Sequence, residues 1–403
     1  MAIAFYFYEF FLRIIPGLIV DDLMSAFHIN AVMVGTLSAG YLYVYAPMQI
    51  PVGLLMDRFG PRRLLTLGAL MCGVGSIVFG VAFDFDLAFM GRVMMGFGSS
   101  FAFVGMVYIS SQYFSGKKLT ILIGIANSFG MMGALWGEDT LGYFVDHYSW
   151  QSLSVVLGIF GIILAIGIWG FCAALPLPKR PSNKKVDSFR QIGMNLCLVC
   201  KNPQTWINAI VASAIYATTT AFAGLWGVNF IKEAYGYSEE SAAISVSLIF
   251  LGWMVGGPLF GYLAHRRFTM RAILMVTSLC GGICLSLAIY VLTHSYYTLC
   301  SLFFLVGFFS SSQLLNFSYS IFVNKAEAKG TAVAFTNFLV MIVGSALQPF
   351  VGYLIDYHAN GVSTSGISVD DYQFALFCFP LSFFLAVSIS GLMKKIELEH
   401  FNN

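Results

Sequence analysis

In the first apolar run of the chain, FYFYEFFLRIIPGLIVDD, ahead of the Asp21-Asp22 pair at its end, two charged residues lie in the interior: Glu9 and Arg13. They are four residues apart, so on a helix they share one face and can interact. Neither faces lipid cheaply. Two chemistries follow. Arg13 can hold a carboxylate or phosphate while Glu9 takes a proton, or the two can form a self-satisfied ion pair that keeps the helix in a bundle. A second intramembrane arginine, Arg92, opens Arg92-Val-Met-Met-Gly96. It needs a partner or water, or else it snorkels to the outer surface. Polar side chains recur at helical spacing elsewhere in apolar runs: Tyr41, Tyr45 and Gln49 every four residues, and Gln313 and Asn316 three apart. Asn127, Asn337 and Glu138 complete the set, Glu138 directly after the glycine-rich stretch that starts at Gly130. Lipid-facing amides are costly, so these amides are candidates for a cavity lining. The tyrosines are equally at home in an interfacial belt.

The elements that must position these residues follow from composition. Of 403 residues, 58% are apolar and 10% charged, against roughly a quarter charged in a soluble domain. That balance excludes a soluble globular protein, a disordered chain and a nucleic-acid binder. A bilayer-spanning helix takes about 20 apolar residues. Twelve apolar segments are expected, near 1–24, 31–56, 63–83, 87–114, 118–143, 150–175, 204–231, 240–264, 271–293, 296–323, 329–355 and 372–393. The fold class is therefore an all-α integral membrane protein, with an N-terminal six-helix half at 1–175 and a C-terminal half with a short tail at 204–403. Between them, 176–203 is a Pro- and Lys-rich linker with a short amphipathic segment. The first run lacks a small-residue cleavage site and is read as helix 1.

Of the 21 Lys and Arg residues, 18 fall at one end of these helices; Arg13 and Arg92 lie inside spans, and only Lys232 lies at the opposite end. Basic short loops stay in the cytoplasm, so both termini are expected there. No phosphate-binding P-loop, HExxH or EF-hand loop occurs, and no enzymatic chemistry or cofactor is expected. The eight cysteines form no secreted disulfide framework; Cys197 and Cys200 make one CxxC without a second pair. Asn316-Phe-Ser is a glycosylation sequon inside an apolar run.

The halves repeat. Gly53-Leu-Leu-Met-Asp57-Arg58 parallels Gly261-Tyr-Leu-Ala-His265-Arg266, and Gly142-Tyr-Phe-Val-Asp146 parallels Gly352-Tyr-Leu-Ile-Asp356. At the same offset Asn127 matches Asn337 and Glu138 matches Gln348, while Gly96-Phe-Gly-Ser-Ser resembles Gly307-Phe-Phe-Ser-Ser. Two parallel repeats with a site between them describe a secondary transporter.

The stretch Gly53-Leu-Leu-Met-Asp57-Arg58-Phe-Gly60-Pro-Arg62-Arg63 resembles the GxxxDRxGxRR signature of the major facilitator superfamily, and Arg92–Gly98 is similar to its RxxxG motif. The resemblance covers essentially the whole chain. Gly53 is expected to allow close helix approach, Gly60 a tight turn, and the arginines to pair with Asp57 or lipid headgroups. In the family this element latches the cytoplasmic side shut, the RxxxG arginine is associated with proton coupling or gating, and helix 1 lines the cavity. The second copy departs from the pattern: His265 replaces the acid and no glycine follows, so that latch is degenerate. The resemblance implies a proton-coupled carrier of a small polar or anionic metabolite, such as an amino acid, peptide, organic or sugar acid, or carboxylate siderophore. Its partners would be that substrate, protons and membrane lipids, with no nucleic acid. It would act as a monomer in a bacterial inner membrane. A drug or metabolite exporter and a lipid flippase are the alternatives.

Overall fold

The computed structural model describes residues 1–113, 128–137, 140–141, 143–144, 147–174, 189–266, 268–291, 295–359 and 367–395. Among them every regular element is a helix. In hydrocarbon each backbone N–H and C=O must be satisfied within its own segment, which a helix does. Ten helical segments are long and apolar enough to cross a bilayer, and a pair bent by 66° supplies an eleventh. This is a multi-pass membrane protein. The twelfth expected segment, 118–143, falls largely outside the described residues, with only residues 128–137 (α7) forming a continuous helical piece.

The bent pair is α1 (Ala2–Leu18) and α2 (Val20–Phe27). The second expected span divides into α3 (Ala31–Met48) and α4 (Val52–Phe59), with Pro47 and Pro51 around the break. Then follow α5 (Pro61–Gly80), α6 (Phe85–Tyr113), α8 (Trp150–Ala174) and α9 (Phe189–Cys200).

The seventh span is a composite. It runs as α10 (Pro203–Ala217), a π-helical stretch Thr218–Trp226 and α11 (Gly227–Tyr235). After α12 (Glu239–Arg266) and α13 (Met270–Tyr290) comes a second broken span: α14 (Tyr296–Ser310), a 3-10 turn Ser311–Gln313 and α15 (Leu314–Val323). α16 (Lys329–His358), α17 (Val369–Leu376) and α18 (Cys378–Ser390) complete the chain. Each break falls on residues able to satisfy freed backbone groups: Thr220 in the π stretch accepts from Gln348 Nε2 at its carbonyl, 2.9 Å.

The described chain clusters into two compact units, one of Met1–Ile15 with Leu37–Gln191, the other of Pro16–Thr36 with Ile192–Asn403. In the first, α5 lies against α6 and α8 through small residues; Ser76 Oγ donates to the Ser154 carbonyl (2.7 Å) and Tyr8 OH to that of Leu157 (2.8 Å). Small residues let membrane helices approach and polar groups fasten them, because lipid supplies no hydrophobic drive between helices. In the second unit, Pro16–Thr36 packs with the later helices. Asn229 Nδ2 donates to the Gly17 carbonyl at 2.9 Å, and the Asp356 carboxylate accepts from the Ala31 and Val32 amides at 3.3 and 3.0 Å. An acid over the unsatisfied amides of a helix start is favourable on both hydrogen-bond and dipole grounds.

One glycine pair carries the repeat into three dimensions. A Cβ on Gly96 would overlap the Tyr41 carbonyl, and a Cβ on Gly307 would overlap the Ile249 carbonyl. In each unit a glycine lets one span meet the backbone of another.

Candidate functional site

The first unit contains a buried charged cluster. α1 presents Glu9 and Arg13, α3 presents Tyr41 and Tyr45, and α6 presents Arg92. Glu9 is 0% exposed and Arg92 1%. Arg13 Nη2 donates to Glu9 Oε1 at 3.4 Å, and Tyr41 OH donates to Glu9 Oε2 at 3.3 Å. The Arg13 guanidinium also lies over aromatic rings, 4.9 Å from the centroids of Phe10 and Tyr45 and 5.7 Å from that of Tyr41. Tyr41 and Tyr45 are stacked, their centroids 5.8 Å apart. The four-residue spacings noted in the sequence bring these groups onto facing helix surfaces, and Gly96 lets α6 come close enough to α3 to complete the cluster.

Arg92 is held differently. Its Nη1 donates to the Leu12 carbonyl at 2.6 Å and its Nη2 to the Ser38 carbonyl at 3.3 Å, while Tyr41 offers its ring 5.1 Å away. The Leu12 carbonyl is available for a local reason. In an α-helix it would accept from residue 16, and residue 16 is Pro, which has no N–H. Pro16 thus exposes a carbonyl inside the membrane, and Arg92 takes it. Arg92 ties α6 to α1 and α3 from a buried position. The sharp bend of helix 1 lies at Ile19, three residues beyond Pro16.

The cluster holds two guanidinium groups against one carboxylate among its described members. It can lend Glu9 to a proton and Arg13 to an anion, and its surplus positive charge is compatible with an acidic guest. Beside it lies Cys72, fully buried, 3.3 Å from Ser99 Oγ. Gln49 donates Nε2 to the Tyr45 carbonyl at 3.4 Å.

The other predicted cavity residues belong to the second unit or fall outside the described residues. Gln313 and Asn316 are buried in the second unit, where Asn316 Nδ2 donates to the Gln313 carbonyl (3.1 Å) and Asn208 Nδ2 to the Asn316 carbonyl (3.0 Å). Asn337 is half-buried on α16. Asn127 and Glu138 lie outside the described residues, as does the side chain of Asp57. Sequence reading passed over Asn208, Asn229 and the Thr218–Thr220 run. The rule that singled out Asn316, an amide within an apolar run, applies equally to the first two. The threonine run carries no comparable signal, because Thr is tolerated in membrane helices.

At the signature motif, Gly60 adopts φ 80°, a left-handed conformation that suits glycine, and it separates α4 from α5 as expected. At Gly53 a Cβ would meet nothing within 4 Å among the described residues. Arg62 stacks on Trp169, its Cζ 3.9 Å from the ring centroid, and donates Nε to the Trp169 carbonyl at 3.1 Å. Arg58 lies 5.4 Å from the Phe59 ring and is exposed, as is Arg63.

With the helical architecture and this buried cluster in view, comparison with known proteins places the chain: it belongs to the Major Facilitator Superfamily, whose family model matches residues 1–349. Among individual relatives, it is 22% identical over 58% of its length to the "Probable L-galactonate transporter" of Escherichia coli strain K12, covering 53% of that protein. It is 24% identical over 84% of its length to the lysosomal dipeptide transporter MFSD1 of Danio rerio, covering 77% of it. The chain spans between 53% and 63% of the length of three bacterial relatives, the L-galactonate protein among them. A crystal structure of a bacterial homologue of the human lysosomal transporter Spinster, inward-facing and occupied, shares the fold with a TM-score of 0.76 at 16% identity, over 97% of this chain and 95% of that one.

Proposed function

We propose that this protein is a secondary transporter that moves a small organic anion by alternating access, coupled to protons. The observation that carries the reading is the buried Glu9–Arg13–Tyr41 cluster with Arg92 beside it. A charged group inside a membrane span is costly and marks a substrate, ion or proton route by default. Family membership supports transport as the activity, and a relative named for a sugar acid favours a carboxylate as the cargo.

In this mechanism Arg13 receives the substrate carboxylate through its planar fork. The incoming anion competes with Glu9 for the guanidinium. Deprived of that partner in an apolar site, Glu9 favours its neutral form and takes a proton, with Tyr41 OH still beside it. Anion and proton are then loaded on the same side, so the cluster enforces symport. Arg92 supplies a fixed positive charge and holds α1 in register. The molecule works as a monomer in a bacterial inner membrane, with both termini in the cytoplasm.

The test is uptake into proteoliposomes, using a panel of labelled sugar acids and other small carboxylates under an imposed pH gradient. Glu9→Gln is expected to abolish proton-driven accumulation and leave substrate exchange intact. Arg13→Ala is expected to lose substrate binding, with only partial recovery in Arg13→Lys, which lacks the bidentate fork. Normal transport in both Glu9→Gln and Arg13→Ala overturns the assignment. So does a Glu9→Gln/Arg13→Met double variant that folds and transports when both single variants fail to fold, since the pair is then structural.

A further inference from the structure

The exposed face of α9 has a use that the transport cluster does not explain. One side of this helix is anchored: Val199 is fully buried against Ala328, Ala332 and Phe335, and Asn195 Nδ2 donates to the Glu327 carbonyl at 3.1 Å. The other side carries Met194 and Leu198, which are 47% and 41% exposed, with Cys197 exposed between them. An apolar face of this kind in water is unfavourable. Its position relative to the bilayer is constrained by the next element. α10 starts at Pro203, three residues after α9 ends, and opens a membrane-spanning segment. Trp206 on its first turn donates Nε1 to the Cys200 carbonyl at 2.9 Å, pinning the end of α9 to the start of the span. Trp206 is itself 40% exposed, as suits a residue at the headgroup level. α9 is therefore held where the span enters the membrane. Lys201 follows it directly, and Lys325 and Lys329 flank the Ala328 on which it packs; all three are exposed, with Glu327 the acid among them.

We propose that α9 is an interfacial helix: its Met194–Leu198 face inserts into the leaflet on the basic side of the protein, and Lys201, Lys325 and Lys329 bind anionic lipid headgroups there. An apolar stripe with lysines at its edge is the pattern of helices that lie in the plane of a membrane surface. Because the opposite face grips the first turns of α16, the lipid charge of that leaflet acts directly on the seating of a spanning helix. The occupant is lipid; the chain's own segment 175–188 or a second copy of the protein would cover the face without responding to lipid charge.

The experiment uses the full-length protein in vesicles, with the fluorophore NBD attached to Leu198→Cys in a Cys197→Ser/Cys200→Ser background; the same background with Leu198 intact corrects for labelling of other thiols. Phosphatidylcholine vesicles, with and without phosphatidylglycerol, carry doxyl quenchers near the headgroup or deep in the acyl chains. The expected result is strong quenching by the shallow doxyl label, weak quenching by the deep one, and little by aqueous iodide. Phosphatidylglycerol is expected to increase the shallow quenching. Lys201→Gln or Lys329→Gln is expected to cut that preference for anionic lipid about fivefold each. Efficient iodide quenching without doxyl quenching overturns the proposal by placing the face in water. Protection from both quenchers overturns it by showing a protein cover. Doxyl quenching that ignores phosphatidylglycerol overturns the headgroup assignment.

Discussion

At the residue scale, the pairing of Arg92 with Leu12 depends on a proline one turn further along α1. Pro16 removes the amide that would otherwise occupy the Leu12 carbonyl, and Arg92 takes that carbonyl at 2.6 Å. Hydrogen bonds to a charged donor are worth about 1.5–3 kcal/mol, more than neutral ones. Arg92→Met is therefore expected to lower thermal stability in detergent by an amount in that range. Pro16→Ala returns a competing N–H and weakens the same bond. The double variant is expected to lose less than the sum of the single losses, with a coupling of about 0.5–3 kcal/mol measured as a double-mutant cycle. Strict additivity would show that the proline and the arginine act independently.

At the element scale, two glycines of the two family-like motifs behave oppositely. Gly96 lies where α6 meets the α3 backbone, and any side chain there collides with the Tyr41 carbonyl. Gly53 faces open space. Gly96→Leu is expected to abolish folded protein, judged by yield and monodispersity after extraction. Gly53→Leu is expected to behave as the parent apart from a helix-propensity effect of less than about 1 kcal/mol. The start of α3 offers a second element-scale test. Asp356 accepts from the Ala31 and Val32 amides, and loss of a cap costs about 0.5–2 kcal/mol. Asp356→Ala is expected to raise hydrogen exchange at those two amides selectively, while Asp356→Asn, which keeps an acceptor but no charge, has a smaller effect. Unchanged exchange in Asp356→Ala would remove the capping role.

At the scale of the whole molecule, the distribution of Lys and Arg predicts that both chain ends lie on the cytoplasmic side. A fluorescent-protein fusion after Asn403 is expected to mature and fluoresce, whereas an alkaline phosphatase fusion at the same point is expected to be inactive. The reverse pattern would invert the orientation and move α9 with its lysines to the opposite leaflet. The two compact units also redistribute the chain, since Pro16–Thr36 packs with Ile192–Asn403. Asn229 reaching Gly17, and Asp356 reaching Ala31, are side-chain bonds across more than 200 residues.

These scales separate what was legible in the sequence from what was not. Apolar runs of bilayer length, the one-sided basic residues, the internal repeat and the signature around Gly60 are properties of residue type and local spacing. The sequence alone therefore determined a membrane-embedded helical bundle of the Major Facilitator Superfamily, and helical periodicity alone placed Glu9 beside Arg13 and Tyr41 beside Tyr45. Which helix each face meets is a long-range matter, and only the tertiary structure decided it. Arg92 is buried where two other helices offer it carbonyls. Among the described residues nothing comes within 4 Å of a Cβ at Gly53, while the Tyr41 backbone meets Gly96 directly. Asn316 donates to the Gln313 carbonyl in the second unit, and Asn208 on another helix donates to the Asn316 carbonyl. The spans broken at Thr218–Trp226 and Ser311–Gln313 read as continuous apolar helices in one dimension, because the long-range partner that supports a break, such as Gln348 on the Thr220 carbonyl, depends on which helices meet.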